Sequence, residues 1–250
     1  MKRRDAITTT TAAVAAALSG ESTMAQSTSK TIAVIGTGRM GGAFGAAFTR
    51  AGHTVVYGSR NPADEKVQTV VKNTTGSAAL DPHSAAAKAE VVVLAVPWAG
   101  AEESVKALGD LSGKLILDPT NAIQFGKDGA GLAVDTSGGE LVRDWAKGAR
   151  VVKAFNTVGY FVIANPSALP GKVGCFLASD DAAAKAEAKD LVTSLGFEAV
   201  DVGPMKSARV LEGMSTLYMV PYFTGKQDER FEWSVVRSGN VTLGPVRTAG

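Results

Sequence analysis

Residues 31–60 read TIAVIGTGRMGGAFGAAFTRAGHTVVYGSR. Residues 32–35 form a short apolar run, and Gly36, Gly38 and Gly41 follow in G-x-G-x-x-G register. A helix of small residues is expected over 40–50, and a second strand over 54–57. Each glycine has a physical task if the turn cradles a dinucleotide. The first permits a tight turn, the second lets backbone approach a pyrophosphate, and the third lets the helix pack close to the sheet. The helix N-terminus adds free N–H groups and a partial positive charge. Thr37, Arg39 and Met40 complete the turn, and Arg39 is placed to reach a phosphate or the adenine face. A plain structural turn is the competing reading, because glycine-rich loops are common. The strand, helix and second strand around this one select the nucleotide site.

The end of the second strand tells which nucleotide. A site for NAD places Asp or Glu there to accept hydrogen bonds from the ribose 2′-OH. This chain has Gly58-Ser59-Arg60 and no acid. A hydroxyl and a guanidinium suit a 2′-phosphate, so the expected cofactor is NADP, with Ser59 and Arg60 as its contacts.

The 250 residues are 45% hydrophobic and 20% charged, ordinary for a globular protein with a sizeable core. A net charge of +2 gives no strong pull towards nucleic acid or acidic membranes. The single cysteine, Cys175, excludes an intramolecular disulfide. Its apolar surroundings mark it as a buried strand residue rather than a nucleophile. With two histidines and one cysteine, a Cys/His zinc site lacks ligands. His53 and His83 read as surface residues at a turn and a helix start.

Residues 1–25 have the layout of a secretory signal: a charged start with Arg3-Arg4, a mild Ala/Thr-rich run, and small residues before a cut after Ala25. The arginine pair resembles the twin-arginine export type, although Ala6 stands where a bulky residue is usual. A functional leader places the protein in the periplasm or outside; otherwise it is cytoplasmic. No integral membrane segment is expected once the leader is removed.

Strands expected over 77–80, 90–97, 115–121, 150–157, 173–178 and 199–202 alternate with helices over 61–72, 81–89, 99–108, 140–147 and 180–195. This alternation predicts an α/β, Rossmann-type doubly wound parallel sheet with a small C-terminal helical extension. The expected organisation is a linker over 26–30, a nucleotide-binding domain over 31–203, an apolar helix over 204–223 interrupted at Pro221, and a tail over 224–250. Residues 122–139 are glycine-rich and read as loop. Ligands of such sheets lie beyond the carboxyl ends of the strands. Those ends carry the glycine turn, Ser59-Arg60, Val96-Pro97-Trp98, Asp118 to Asn121, and Ala154 to Thr157.

In order along the chain, GTGRMG, GSR, VVVLAVPW, DPTN, VVKAFNT and FEAVDVGPMKSARVLE resemble the F420-dependent NADP oxidoreductase family. The resemblance covers about residues 31–222. It implies a hydride passed between NADP(H) and a deazaflavin, F420, with a flavin as the alternative second ring. It places the cofactor loop on Thr37 to Met40, the 2′-phosphate contacts on Ser59 and Arg60, and the nicotinamide neighbourhood on Val96, Pro97 and Asn156. The chain departs from the family at Asp64, where a further basic residue is frequent. The leader and the tail after Phe223 are additions relative to the short archaeal members.

The residues agree with hydride transfer, which needs orientation rather than a protein acid or base. No Ser/His/Asp set, paired carboxylates or H-x-x-x-H is visible, so no catalytic acid is named. Trp98 reads either as a wall of the ring pocket or as a plain core or surface aromatic. Asn156 reads either as a partner of the nicotinamide amide or as structural. Lys153 reads as a solvated lysine, with contact to a phosphate or an acidic acceptor tail as the alternative. The partner is a small-molecule hydride acceptor or donor, not nucleic acid. The apolar stretch 211–223 is expected to cover itself as a homodimer face or as the second-ring pocket. Two other functions compete: a non-catalytic NADP-binding sensor or carrier, and an imine or pyrroline-carboxylate type of reductase. The latter group carries a large helical domain for which this chain leaves little length.

Overall fold

The computed structural model describes residues 29–127, 129–237 and 239. The expected leader, residues 1–25, lies outside them, as does 240–250 of the expected tail. β1 (Thr31–Ile35), β2 (Thr54–Gly58) and β3 (Ala78–Leu80) run beside β4 (Val91–Leu94), β5 (Leu115–Asp118) and a later strand, Arg150–Lys153. Between β5 and that strand lies a hairpin, β6 (Ile123–Gly126) and β7 (Gly129–Leu132), so Arg150–Lys153 is β8. The main sheet has the order β3-β2-β1-β4-β5-β8, all pairs parallel. The order reverses between β1 and β4, which is where ligands of doubly wound sheets bind.

Both faces of the sheet are covered, as Val- and Ile-rich parallel strands require. Ile32 and Val34 of β1 point to one core with Phe44, Phe48 and Tyr57. Ala33 and Ile35 point to the other, with Ala85, Val92, Leu94 and Leu108. The first core is capped by α1 (Arg39–Arg50). The helices α2 (Glu65–Lys72), α3 (Pro82–Lys88) and α4 (Ala101–Lys106) follow in the crossovers. α2 starts later than Asn61-Pro62 suggests, because Asp64 is its cap and accepts from the Lys66 N–H at 2.8 Å. Asp64, at the position where the family often has a base, therefore has a structural task.

Gly45 explains itself in this packing. A Cβ there would lie 1.7 Å from the hydroxyl of Tyr57, a fully buried ring whose oxygen is held by Thr74 at 2.8 Å. Gly45→Ala is expected to destabilise the fold by about 1–3 kcal/mol despite alanine's better helix propensity. A urea midpoint at or above that of the parent would contradict this.

Several expectations are corrected. Residues 122–139 are not all loop, because they contain the β6–β7 hairpin. The strand from Arg150 stops at Lys153 instead of reaching Thr157. Phe155 adopts φ 62, rare for a bulky residue, and is held there edge-on between Phe44 and Phe197 at 5.2 and 5.5 Å. β9 (Gly174–Leu177) and β10 (Glu198–Asp201) pair only with each other, and an antiparallel bridge from Lys153 to Ala178 joins them to the main sheet. His53 is not at the surface. It is 5% exposed, its Nδ1 accepts from the Lys30 N–H, and burial followed by the nearby Lys30 charge lowers its pKa. Cys175 is fully buried in β9, and burial pushes its thiol up to about 12, as a structural cysteine requires.

Helix α5 (Gly138–Trp145) begins before Glu140 because Ser137 caps it; the Glu140 N–H donates to Ser137 Oγ at 3.2 Å, and that hydroxyl donates to the Glu140 carboxylate at 2.7 Å. After α6 (Tyr160–Ala164) and α7 (Ala182–Ser194), helix α8 (Ala208–Phe223) runs unbroken through Pro221. Pro221 lies in the last turn, where it cannot donate to the Leu217 carbonyl, and the helix ends two residues later. The tail is not loose up to residue 237. The Gly174 N–H donates to the Trp233 carbonyl at 2.7 Å, and the Tyr218 hydroxyl to Glu232 at 2.9 Å. No helix among the described residues is long and apolar enough to cross a membrane.

α8 is tied to α5 by a bidentate pair in which Arg209 donates to both oxygens of Glu140, at 2.7 and 2.8 Å. Those bonds, led by the Arg209 contact, hold the Glu140 carboxyl down at about 2. The folded-state value is depressed, so the pair stabilises the fold above about pH 4.5 and its contribution fades as pH falls towards 2. Arg209→Ala should therefore flatten the loss of stability between pH 4.5 and 2, read from urea midpoints. An acid limb identical to the parent's would contradict the assignment.

Candidate nucleotide-binding groove

The carboxyl ends of β1, β2 and β4 open into a groove of about 420 Å3. Ile35 to Gly38 form one wall, Gly58 to Arg60 a second, and Ala95 to Pro97 a third. The glycine spacing is now explained atom by atom. Gly36 has φ +104 and its Cβ would meet the Ala95 carbonyl oxygen at 2.4 Å. Gly41 would meet the Gly36 carbonyl oxygen at 1.9 Å. Gly38 differs, because nothing lies within 4 Å of its Cβ position and its φ of −74 suits any residue. No contact within the protein requires a glycine at 38. A group entering the groove and needing bare backbone would.

α1 starts at this point. Gly38 caps it without a side-chain hydrogen bond, leaving the N–H groups of the first turn available. Gly38 to Gly41 therefore present a helix N-terminus to the groove, the arrangement that holds phosphates in dinucleotide sites. At the far wall, Arg60 is exposed, Ser59 is half-buried, and the Ser59 hydroxyl accepts only a long 3.4 Å bond from the Asn61 N–H. Arg60 and Glu103 are the charged residues among the lining. Glu103 was not expected there. It comes from α4, where Glu103 and Ser104 line the groove together with the capping residues Gly100 and Ala107. Their spacing of three, one and three is one face of a helix, and that pattern was present in the sequence.

Gly36, Thr37, Gly38, Ser59, Arg60, Val96 and Pro97 thus converge, while other expected site residues lie elsewhere. Arg39 is exposed and stands over the Tyr160 ring, 5.6 Å from its centroid. Met40 packs on the core. Trp98 stacks on Trp145 with centroids 5.5 Å apart. Ala154 is fully buried. Asn121 and Asn156 bind each other: Asn121 Nδ2 donates to the Asn156 carbonyl at 2.9 Å, and Asn156 Nδ2 to Asn121 Oδ1 at 3.0 Å and to the Leu211 carbonyl at 2.9 Å. Both donors of Asn156 are used inside the fold. Its Oδ1 is buried without a partner, so only an acceptor remains to offer.

Lys153 corrects both readings of it. It is neither solvated nor turned to a phosphate, but 0% exposed, with Nζ 3.0 Å from Asp118 and 2.7 Å from Glu212. Burial pushes its pKa down, but the two carboxylates outweigh burial and hold the ammonium above its ordinary value. Glu212 also accepts from the N–H groups of Ala122, Gly138 and Gly139 at 3.2, 2.9 and 3.0 Å. Asp118 accepts from the Thr120 N–H and hydroxyl. This polar centre ties α8 to the ends of β5 and β8 and to the start of α5. Among the described residues, no group of acids, histidines and cysteine is placed to hold a metal ion.

The family model described as "NADP oxidoreductase coenzyme F420-dependent" matches residues 31–122. A protein named F420-dependent NADP reductase, from Methanothermobacter thermautotrophicus, is 30% identical over 203 residues, covering 74% of this chain and 86% of the relative. A crystal structure described as an F420-dependent NADP reductase, from Arthrobacter sp. FB24, superposes with a TM-score of 0.76 at 28% identity over 83% of this chain and 100% of that one. An imine reductase from Myxococcus stipitatus in complex with NADP+ shares the fold, with a TM-score of 0.58 at 20% identity over 78% of this chain and 63% of the other.

Proposed function

The chain belongs to the F420-dependent NADP oxidoreductase family, and from that premise we propose that it moves a hydride between NADP(H) and a second ring, a deazaflavin of the F420 type or a flavin. It is an NADP-dependent oxidoreductase. The observation that carries the cofactor reading is Gly38, with nothing within 4 Å of its Cβ position, in a groove whose far wall is Ser59-Arg60. When bound, NADP(H) supplies the hydride. The chain's part is to bind and orient. The first-turn N–H groups of α1 meet the pyrophosphate, and Gly38 lets it come close. Arg60 and Ser59 meet the 2′-phosphate, with Arg60 donating charge-assisted hydrogen bonds. Val96 and Pro97, at the end of β4, lie under the reacting end. No acid or base is needed, in keeping with a groove lined by two charged residues on its flanks.

Arg60→Asp is the direct test of the cofactor. It should weaken NADP+ binding on the order of 10- to 100-fold, the worth of a lost charge-assisted contact plus repulsion, and improve relative binding of NAD+. An unchanged ratio of the two affinities would remove Arg60 from the site. For the second ring, purified protein should oxidise NADPH in the presence of F420, FMN or FAD. Turnover of a cyclic imine alone, or tight NADPH binding with no acceptor at all, would favour the competing functions.

Val210, Leu217, Val220 and Phe223 of α8 remain 67%, 52%, 44% and 48% exposed. We propose that this face pairs two copies of the chain, which light scattering reads directly as mass; a monomer at working concentration would contradict it. We also propose that residues 1–25 direct twin-arginine export. A reporter fused to them should stay in the cytoplasm of a strain lacking that translocon.

A further inference from the structure

A second cavity, of about 500 Å3, lies between the C-terminal segment and the loop that precedes β9. It shares no lining residue with the nucleotide groove. Its walls carry three aromatic rings, Phe161, Phe231 and Trp233, the last two edge-to-face at 5.4 Å. Two cations flank them. The Arg230 guanidinium stands 5.1 Å from the centre of the Phe161 ring, and Lys172 comes from the loop. Among the described residues neither cation has an acid within ion-pair distance. The remaining polar lining is Asp228, Ser234 and Glu232, so two acids face the two cations. Glu232 is the acid tied into the fold. Its Oε1 accepts from Tyr218, while its Oε2 is buried with no partner, as is the indole Nε1 of Trp233. Buried polar atoms without partners are rare and each calls for an explanation.

The walls are fixed rather than draped. The Trp233 carbonyl is bonded to the Gly174 N–H at 2.7 Å, Ser234 Oγ donates to the Lys172 carbonyl at 3.3 Å, and Arg237 pairs with Glu198 at 2.9 Å. A cavity of this size, with stacking surfaces and a few polar groups, is the form of a small-molecule site. Its composition fixes the class of ligand. Aromatic walls favour a flat ring system, unpaired Arg and Lys favour a carboxylate or phosphate, and a carboxylate with a spare oxygen accepts from an N–H or O–H on the ring.

We propose that this cavity binds a planar aromatic anion, its ring among Phe161, Phe231 and Trp233, its anionic group on Arg230 and Lys172, and a ring donor on Glu232. The site is separate from the nucleotide groove and does not depend on that groove taking NADP. Two rings connect them. Tyr160 lies under Arg39 of the glycine turn and meets Phe161 edge-on at 5.7 Å.

The test uses the full chain saturated with NADP+ and two probes that share a ring and differ in one anion, FMN and riboflavin. Calorimetry should show an FMN site that Arg230→Ala weakens, distinct from any flavin held beside the nicotinamide, which that substitution leaves unchanged, and riboflavin should bind this site about tenfold or more weaker. Arg230→Ala should weaken FMN by about tenfold while leaving NADP+ binding unchanged, and Phe231→Ala should weaken both probes. Three results would each overturn the proposal: no FMN binding at millimolar concentration, FMN displaced by NADP+, or FMN affinity indifferent to both substitutions. NADP+ is titrated separately, so a failure of the nucleotide reading shows in that titration and not in this one.

Discussion

Gly38→Ala folds with nearly the stability of the parent and loses most of its affinity for NADP+. That is the expected result, and it separates a ligand constraint from a folding constraint. The Cβ of an alanine at 38 would meet nothing within 4 Å, and the φ of −74 is ordinary for any residue. The cap position makes alanine slightly worse than glycine for the helix, while the unfolded chain loses freedom. These terms are small and opposed, so the unfolding midpoint should move by less than about 1 kcal/mol. On the proposed binding mode the methyl group would instead occupy the space through which a pyrophosphate reaches the first-turn N–H groups. Hydrogen bonds to charged groups are worth about 1.5–3 kcal/mol each, so losing one or two costs on the order of 10- to 100-fold or more in affinity. Gly41→Ala is the control of opposite kind. Its Cβ would lie 1.9 Å from the Gly36 carbonyl oxygen, and that backbone atom cannot move without opening the turn. It should lose stability first, by about 1–3 kcal/mol, and binding only as a consequence. If Gly38→Ala binds NADP+ as tightly as the parent, the pyrophosphate does not lie over this turn.

The contrast between Gly38 and Gly41 marks how far the sequence can be read. Register alone assigned three tasks to three glycines, and the structure supports two of them through contacts inside the protein. The third was legible only as a motif, because no contact inside the chain requires it. The sheet was legible because β1, β4 and β5 are buried on both faces and so read as unbroken apolar runs. The end of β8 was not. The run VVKAF looks like more strand, and nothing local announces that packing between Phe44 and Phe197 will hold Phe155 at φ 62. The hairpin over Ile123–Leu132 was missed for a related reason. Its glycines suggest a loop, and its ordering comes from contact with α8, where Phe125 meets Phe223 at 5.1 Å. Lys153 is the hardest case. A lysine after two valines is read as a strand end meeting solvent, and its partners lie 35 and 59 positions away in the chain. Only Glu212, an acid within an apolar helix, gave a signal that something charged had to be buried with it.

Lys153→Met should therefore be the most destabilising single change in the chain, by about 3–5 kcal/mol. Methionine matches the length of the lysine stem, so the loss is not one of volume. It leaves Asp118 and Glu212, each 0% exposed, without their shared cation. Glu212 would keep the N–H groups of Ala122, Gly138 and Gly139, and Asp118 would keep Thr120, but neutral donors do not balance two buried negative charges. The nearly isosteric Glu212→Gln should not be mild either. Oε1 faces Lys153 Nζ and the Gly139 N–H, and Oε2 faces the N–H groups of Ala122 and Gly138. Every neighbour of the carboxylate is a donor, so whichever way a glutamine amide is turned, its NH2 points at two of them. The cost of Glu212→Gln is therefore that of unsatisfied and opposed donors, about 1–3 kcal/mol, and no rotamer relieves it. None of the three charged residues lines the nucleotide groove. Below the unfolding transition, both variants should thus bind NADP+ within a factor of about three of the parent, since their loss falls on the attachment of α8. Melting midpoints and NADP+ titrations of the two variants together decide the matter. A Lys153→Met protein as stable as the parent would mean that this polar centre does not hold α8 to the sheet. A stable protein with weakened NADP+ binding would move Lys153 from the scaffold to the site.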